Sequence, residues 1–202
     1  LKGDWMPISF VEDCAVELRD LPEYTRRLTE IFRILGTTGT WYAHASVGTL
    51  HVRPILNLKL DSEVKKLRVI AEETFDMVKE YKGSHSGEHG DGIVRSEFHE
   101  KMFGKEIISG FQDLKGVLDP NNVMNPGRIV WPPAMDNRKL LRYDASYKIK
   151  NPGTRFDWES WGGLGGAVEM CNNNGACRKL SGGVMCPSFR ATRFQSPCGG
   201  PQ

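Results

Sequence analysis

The stretch GTWYAHASVGTLHVRPILNL, residues 39–58, decides the fold. It is rich in threonine, tyrosine, valine, isoleucine and tryptophan, which are residue types enriched in β-strands. The tripeptide Ser-Val-Gly at residues 46–48 interrupts this stretch and can form a tight turn. The stretch therefore predicts two strands joined by that turn, with His44 before the turn and His51 after it.

The residues before this hairpin predict a strand and a helix. Residues 7–18 alternate imperfectly between apolar and polar side chains, which is typical of a strand with one covered face. Asp20 is then the predicted N-cap of an amphipathic helix of about four turns that ends at Gly36. Apolar side chains recur in it at helical spacing: Leu21, Tyr24, Leu28, Ile31, Phe32 and Leu35.

The residues after the hairpin predict a second amphipathic helix, from Asp61 to Gly83. A glycine-rich segment follows at residues 84–92, and then two shorter helical patterns at 96–103 and 104–118. The order β-α-β-β-α-β over the first 90 residues is that of the ferredoxin-like split βαβ arrangement, an antiparallel sheet with helices on one face. We therefore predict an α+β fold.

The composition argues against several classes of protein. The 202 residues include 27 Lys and Arg against 25 Asp and Glu, so the chain lacks the strong positive charge that nucleic-acid binding requires. No apolar run approaches the ~18 residues that span a bilayer. The chain starts at Leu1 with neither a methionine nor a signal segment, and we expect it to be a segment of a longer protein.

A Trp-Pro-Pro sequence at residues 131–133 marks a predicted domain boundary. We expect one domain at residues 1–131 and a polar linker, dotted with glycine and proline, at residues 132–165. The remaining segment, residues 166–202, carries most of the cysteines and is too short to fold alone without a metal.

Two histidines and one glutamate form the first candidate site. The turn between His44 and His51 can bring their imidazoles together on adjacent strands, and Glu88 on the glycine-rich segment can complete a two-histidine, one-carboxylate metal site. Alternatively, these histidines are hydrogen-bonded polar residues at a sheet edge and the glycines only form turns. We interpret His85 and His99 as structural or surface residues.

Four of the five cysteines lie in the last 32 residues, and Cys14 is alone. This clustering favours metal ligation in a reducing compartment, by default the cytoplasm, over a disulfide framework. Cys171, Cys177 and Cys186 are loosely spaced, but a proline follows Cys186, as it does at the last ligand of an iron–sulfur run. A zinc site and free thiols are the alternatives.

Arg53 is a candidate substrate-binding residue. It lies two residues after His51 and so on the same face of a regular strand. Its guanidinium fork is suited to a carboxylate, which favours substrate anchoring. A surface arginine in an ion pair is the alternative.

Several motifs carry a resemblance to a known family. Three are HASVGTLH (44–51), SGEHGDG (86–92) and LDPNNVMNPGRI (118–129). With them, the first domain resembles the C-terminal, substrate-capping domain of FAD-linked oxidases of the D-lactate and D-2-hydroxyglutarate dehydrogenase group. The tail motifs EMCNNNGACRK (169–179) and GVMCPSFRAT (183–192) further resemble the bacterial type, in which the flavoprotein continues into an α-helical, ferredoxin-like iron–sulfur domain.

The resemblance implies roles for five residues. His44, His51 and Glu88 would bind a divalent metal, zinc or manganese-like, next to the flavin ring. His89 matches the catalytic histidine of the family, which takes the hydroxyl proton while flavin N5 takes the hydride. Asn125 matches a residue that approaches the flavin.

The resemblance implies a fragment of a flavin-dependent dehydrogenase that oxidises a D-2-hydroxy acid, with D-2-hydroxyglutarate favoured, and passes electrons from FAD to 4Fe-4S clusters. D-lactate or glycolate as the substrate, or a non-catalytic iron–sulfur electron-transfer module, are the alternatives. The FAD-binding domain is expected upstream and the rest of the iron–sulfur domain downstream, so the fragment alone is expected to be inactive. We expect a cytoplasmic location, or a peripheral one at the inner membrane.

Overall fold

The computed structural model of the chain describes residues 3–171, 174–182 and 187–193. It contains two compact units. The larger is Asp4–Tyr147, and the smaller consists of Gly3 and the described residues from Lys148 onward. Within these described ranges, no helix has both the length and the apolar character needed to cross a membrane.

A small antiparallel sheet organises the larger unit. Its four strands are β1 (Met6–Pro7), β2 (Cys14–Ala15), β3 (Gly39–His44) and β4 (Thr49–Leu56). The longest strand, β4, pairs with each of the other three, and Tyr42 of β3 lies opposite His51. The predicted hairpin is confirmed: β3 and β4 are joined by a 3-10 turn, Ala45–Val47, and by Gly48.

The helices follow the predicted order. They are α1 (Leu21–Ile34), α2 (Asp61–Glu80), α3 (Gly92–Ser96), α4 (His99–Phe103) and α5 (Lys105–Leu118). An antiparallel bridge between Ala15 and Ser84, after α2, takes the place of the last strand of the predicted β-α-β-β-α-β order. The α+β prediction is therefore confirmed for this unit.

The first predicted strand is wrong in its extent. Instead of one strand over residues 7–18, the chain forms the two short strands β1 and β2, with a loop between them. Asp13 has a left-handed backbone, with φ of 82°, at the end of this loop. A left-handed residue breaks the extended ladder, so the pairing with β4 resumes only at Cys14.

The predicted N-cap of α1 is also wrong in one respect. Asp20 occupies the N-cap position but its side chain makes no capping hydrogen bond. Its backbone is already in the right-handed helical region, with φ of −95° and ψ of −14°, whereas capping side chains usually extend from a β-region residue. The apolar pattern at 96–103 is likewise divided between two short helices, α3 and α4.

The core of the larger unit lies between α1, α2 and β4. Tyr24, Leu28 and Phe32 of α1 join Leu50, Val52 and Leu56 of β4, together with Leu67, Ile70, Phe75 and Val78 of α2. Because side chains alternate across a strand, these core positions of β4 leave His51 and Arg53 on the opposite face. That face carries the candidate site.

Residues 132–147 also pack on the larger unit. Met135 is only 5% exposed and belongs to the core cluster. Asp136 accepts a hydrogen bond of 2.7 Å from Nη2 of Arg68, and Arg138 donates to the carbonyl oxygen of Leu58. These contacts place residues 132–147 within the compact unit, and the domain limits at 131 and 165 stay a prediction.

The smaller unit contains short helical elements. Its described elements are a 3-10 turn (Glu159–Trp161), α6 (Leu164–Glu169), a second 3-10 turn (Ala176–Arg178) and α7 (Pro187–Thr192). The side chain of Asn151 joins the first two of these, because it donates to the carbonyl oxygen of Gly162 at 3.1 Å and accepts from the N–H of Gly165 at 2.7 Å.

Candidate active site

Two histidines predicted as metal ligands, His44 and His51, meet one carboxylate oxygen of the third predicted ligand, Glu88, in the larger unit. Nε2 of His44 lies 3.2 Å from Oε1 of Glu88, and Nε2 of His51 lies 3.0 Å from the same oxygen. The two imidazole rings meet edge to face, with their centroids 5.1 Å apart. The structure thus brings together two imidazole nitrogens and one carboxylate from segments far apart in the sequence.

The hairpin turn makes this convergence possible. Gly48 has φ of 72°, a left-handed conformation that favours glycine. A Cβ atom at this position would lie only 1.9 Å from the carbonyl oxygen of Val16, so the turn also needs a residue without a side chain. The turn reverses the chain between His44 and His51, as the sequence predicted.

The donor set fits a divalent cation. Imidazole nitrogens and carboxylate oxygens are ligands that zinc prefers. His51 is almost completely buried, and its Nδ1 has no hydrogen-bond partner, whereas Glu88 and His44 are about half exposed. An ion held by Nε2 of His51 would therefore have one buried ligand and an open side toward solvent.

His89 lies against the same cluster. Its ring stacks on that of His51 at a centroid distance of 4.9 Å and an interplanar angle of 15°. Its Nε2 is 3.5 Å from Oε1 of Glu88, and its Nδ1 is 3.3 Å from Oε1 of Glu12. The two ring nitrogens therefore have different carboxylate neighbours, an arrangement that can fix which nitrogen carries the proton.

Asp13 supports the loop that carries Glu88 and His89. Its fully buried carboxylate accepts hydrogen bonds from the backbone N–H of His89 at 2.8 Å, from that of Glu88 at 3.0 Å, and from Oγ of Ser86 at 3.1 Å. Burial opposes ionisation of Asp13, but these donors outweigh burial and lower its pKa. An ionised Asp13 therefore holds the loop in place.

Arg53 lies beside the cluster, and its guanidinium is hydrogen-bonded to Glu12 and Tyr42. Its Nε donates to Oε2 of Glu12, and its Nη2 donates to the hydroxyl of Tyr42 at 2.7 Å. Burial opposes ionisation of Glu12, but the hydrogen bonds from Arg53 and Ser9 outweigh it and lower the pKa of Glu12. The ion pair that the sequence left as an alternative is therefore present, and the side chain of Arg53 remains 36% exposed.

Sequence reasoning missed Glu12 and Asp13. Their contacts with Arg53 and His89 reach more than 40 positions along the chain, so no local motif indicates them. The available signal was the pair of adjacent acids inside the apolar run Ile8 to Val16, because such a run rarely buries carboxylates without partners.

Asn125 lies in a different part of the larger unit. It has a left-handed backbone, with φ of 48°, and it lines an open groove of about 550 Å³. Apolar side chains of α5, Phe111 and Leu114, and the cationic Lys115 and Arg128 line the same groove. The lining includes none of the histidine and glutamate residues described above.

The cysteines predicted as cluster ligands are only partly described. Cys171 is exposed and Cys177 is half-buried, whereas Cys186 lies outside the described residues. Among the residues that the structure describes, no cysteine belongs to a group of converging metal ligands. Cys14 is buried in the larger unit, and burial raises the pKa of its thiol to about 12, so it is a core side chain and not a reactive thiolate.

Comparison with known proteins identifies relatives along most of the chain. The family described as "FAD linked oxidases, C-terminal domain" matches residues 2–129. A D-2-hydroxyglutarate dehydrogenase of Pseudomonas putida is 34% identical over 96% of this chain, and one of Escherichia coli is 31% identical over 98%. Glycolate oxidase subunit GlcD of Bacillus subtilis is 27% identical over 67% of this chain and 28% of its own length.

These relatives are much longer than the chain. The chain spans only 19% of the length of each of the two D-2-hydroxyglutarate dehydrogenases. The similarity to both continues past residue 129, because it covers nearly the whole chain. The family match includes the hairpin, the glycine-rich loop, α5 and the turn after α5. Because this match covers more than half of the chain, the chain belongs to the FAD-linked oxidases, with their C-terminal domain at residues 2–129.

Proposed function

We propose that this chain is part of a flavin-dependent dehydrogenase that oxidises a D-2-hydroxy acid to the 2-oxo acid. One observation carries the proposal: the imidazoles of His44 and His51 meet the carboxylate of Glu88, with the ring of His89 stacked beside them. Membership in the FAD-linked oxidases supports FAD as the electron acceptor of this reaction.

Oxidation of a 2-hydroxy acid removes a proton from its hydroxyl and a hydride from the adjacent carbon. A divalent cation would lower the pKa of that hydroxyl, and the flavin would accept the hydride with its two electrons. His44, His51 and Glu88 are the residues that would hold the cation. His89 is the proposed base that takes the hydroxyl proton, with Glu12 beside its Nδ1 to orient the ring.

We propose Arg53 as the anchor for a substrate carboxylate. It lies on the same strand face as His51, and its guanidinium is held by Glu12 and Tyr42, so it is oriented before any substrate arrives. A guanidinium can pair with a carboxylate through two parallel hydrogen bonds. D-2-hydroxyglutarate is the favoured substrate because several relatives with high coverage of this chain carry that name.

The C-terminal segment is proposed to carry electrons onward from FAD through a 4Fe-4S cluster with Cys171, Cys177 and Cys186 among its ligands. The similarity to long D-2-hydroxyglutarate dehydrogenases that continues past residue 129 supports a shared role for this segment. The groove that contains Asn125 is the proposed contact for the flavin-bearing domain, because it places apolar side chains next to the cationic Arg128 and the ion pair of Lys115 with Asp119.

The decisive experiment is anaerobic flavin reduction in the complete flavoprotein that carries this chain. D-2-hydroxyglutarate, D-lactate and glycolate are offered separately, before and after treatment with EDTA. We expect D-2-hydroxyglutarate to bleach the flavin fastest, and we expect bleaching to disappear after chelation. Faster bleaching by D-lactate or glycolate would make that acid the better proposal for the substrate. Both acids are tested because the relatives include a glycolate oxidase subunit and a D-lactate dehydrogenase. No bleaching by any of the acids would leave the non-catalytic electron-transfer module as the better proposal.

A further inference from the structure

A second group of converging side chains lies outside the candidate active site. His85, Asp91 and His99 place their possible ligand atoms within 4.8 Å of one another. Nε2 of His85 is 3.2 Å from Oδ1 of Asp91, and Nε2 of His99 is 3.0 Å from Oδ2 of the same carboxylate. None of these residues takes part in the proposed reaction.

This group is buried, unlike the active-site cluster. His85 is 0% exposed and His99 is 2% exposed, and the side chain of Asp91 is 17% exposed. The rings of Phe75 and Phe103 pack against His85 at centroid distances of 5.6 Å and 5.7 Å. Both histidines are therefore buried, which excludes the interpretation of them as surface residues that the sequence allowed.

Four buried polar atoms of this group lack hydrogen-bond partners. Neither ring nitrogen of His85 makes a hydrogen bond, and neither Nε2 of His99 nor Oδ1 of Asp91 makes one, although the nitrogen and oxygen atoms are close. A buried polar atom without a partner destabilises the folded state, because it loses its hydrogen bonds to water and gains none in return. The imidazole nitrogens and the carboxylate oxygens lie close together but are not aligned for N–H···O bonds. This is the arrangement expected of ligands that share one cation.

The second nitrogen of His99 also fits a metal ligand. Its Nδ1 lies 3.3 Å from the carbonyl oxygen of Ile129. A histidine that donates from Nδ1 to a carbonyl keeps Nε2 unprotonated and directed to the cation, which is the usual arrangement around metal-bound imidazoles. Arg95 is close to Asp91, but its guanidinium donates to the carbonyl oxygens of Glu12 and Gly90.

We propose that His85, Asp91 and His99 form a second divalent-metal site, buried and structural, that takes Zn²⁺. Two imidazole nitrogens and one carboxylate are a ligand set that suits zinc. His85 and Asp91 flank the loop that carries Glu88 and His89, and His99 lies on α4. An ion at this site joins both ends of the active-site loop to α4, so its binding free energy stabilises the loop.

The test uses the full chain and Co²⁺ as a spectroscopic substitute for Zn²⁺. The double variant His44→Ala, Glu88→Gln disables the active-site cluster, and the protein is stripped with a chelator before titration. We expect one equivalent of Co²⁺ to remain, with visible d–d absorption and without the intense near-ultraviolet band that thiolate ligands give. No bound Co²⁺ in this variant, or a thiolate spectrum, would overturn the proposal.

Further variants assign the ion to its ligands. In the same background, Asp91→Asn should abolish Co²⁺ binding, whereas Phe103→Leu, which changes a ring against both histidines but removes no ligand, should retain it. If circular dichroism shows that Asp91→Asn does not fold, His99→Gln replaces it. Retention of the bound Co²⁺ in a folded ligand variant would also overturn the proposal. Because no flavin or substrate is present, the outcome is independent of the proposed dehydrogenase activity.

Discussion

His89 has a defined position between two carboxylates. Its Nδ1 is near Glu12, its Nε2 is near Glu88, and its ring stacks on His51. If His89 is the base, His89→Gln should lower flavin reduction by D-2-hydroxyglutarate about 10²–10⁴-fold in the complete flavoprotein, because proton transfer loses its acceptor. Stopped-flow absorbance of the flavin measures this rate, and metal analysis should find the same ion content as in the wild type. Near-normal reduction would exclude the role of His89 as base.

Asp13 stabilises the loop of the candidate active site through its charge. Asp13→Asn keeps the size of the side chain and tolerates the left-handed backbone, but it places an amide where a carboxylate accepts hydrogen bonds from Ser86, Glu88 and His89. We expect the free energy of unfolding to fall by about 2–3 kcal/mol, since hydrogen bonds to a charged acceptor are stronger than neutral ones. Urea denaturation measures the change. Asp113→Asn, at an exposed acid of α5, is the control and should have almost no effect.

At the scale of elements, the hairpin turn requires a glycine both for its left-handed backbone and for its close approach to a neighbouring carbonyl, and two variants can separate these requirements. Gly48 and Gly90 have nearly equal φ, 72° and 73°, but only at Gly48 would a Cβ meet another atom, the carbonyl oxygen of Val16 at 1.9 Å. Gly90→Ala should therefore destabilise the protein by about 1–2 kcal/mol from backbone strain alone. Gly48→Ala should lower the unfolding free energy clearly more, as measured by urea denaturation. Equal effects would contradict the clash with Val16.

The turn after α5 depends on the charge of Asp119. The ammonium of Lys115 beside Asp119, with the backbone N–H groups of Val123 and Met124, holds the pKa of this carboxyl below its ordinary 3.8. A folded-state pKa below the unfolded value gives stability that is present above pH 3.8 and is lost as the pH falls through the folded pKa. Asp119→Asn should therefore be less stable than the wild type at neutral pH.

The stability difference between Asp119→Asn and the wild type should shrink as the solution is acidified below pH 3.8. Urea denaturation of both proteins across a pH series measures it. A stability difference that stays constant down to the lowest pH would mean that the charge of Asp119 is not what stabilises the turn.

The elements differ in how well the sequence predicts them. The α1 and α2 helices and the hairpin follow from apolar spacing and turn residues, which are local signals. The approach of His44 to His51 also follows from the local turn at Gly48. The break in the first strand does not, because it depends on Asp13 accepting hydrogen bonds from a loop 75 positions away. A contact of that range becomes visible only once the chain is folded.

At the scale of the whole molecule, the extent of the larger unit is set by packing and not by composition. The polar residues 132–147 resemble a linker in the sequence, yet they supply Met135 to the core and Asp136 to an ion pair with Arg68. A few anchoring side chains are enough to fix a segment that has no regular secondary structure. The composition of this segment therefore predicts that it lacks regular secondary structure, but it does not predict that the segment packs on the core.

The packing of residues 132–147 on the core predicts a difference in stability between two fragments. A fragment of residues 4–147 should unfold cooperatively, whereas a fragment of residues 4–131 lacks Met135 and leaves Arg68 without Asp136. Loss of a buried methionine side chain alone destabilises by about 2–5 kcal/mol, so the shorter fragment should have a lower unfolding free energy by at least that amount. Urea denaturation of both fragments measures the difference, and Met135→Ala in the longer fragment shows how much of it comes from the core contact. Equal stability of the two fragments would mean that residues 132–147 contribute nothing to the unit and that it ends at residue 131.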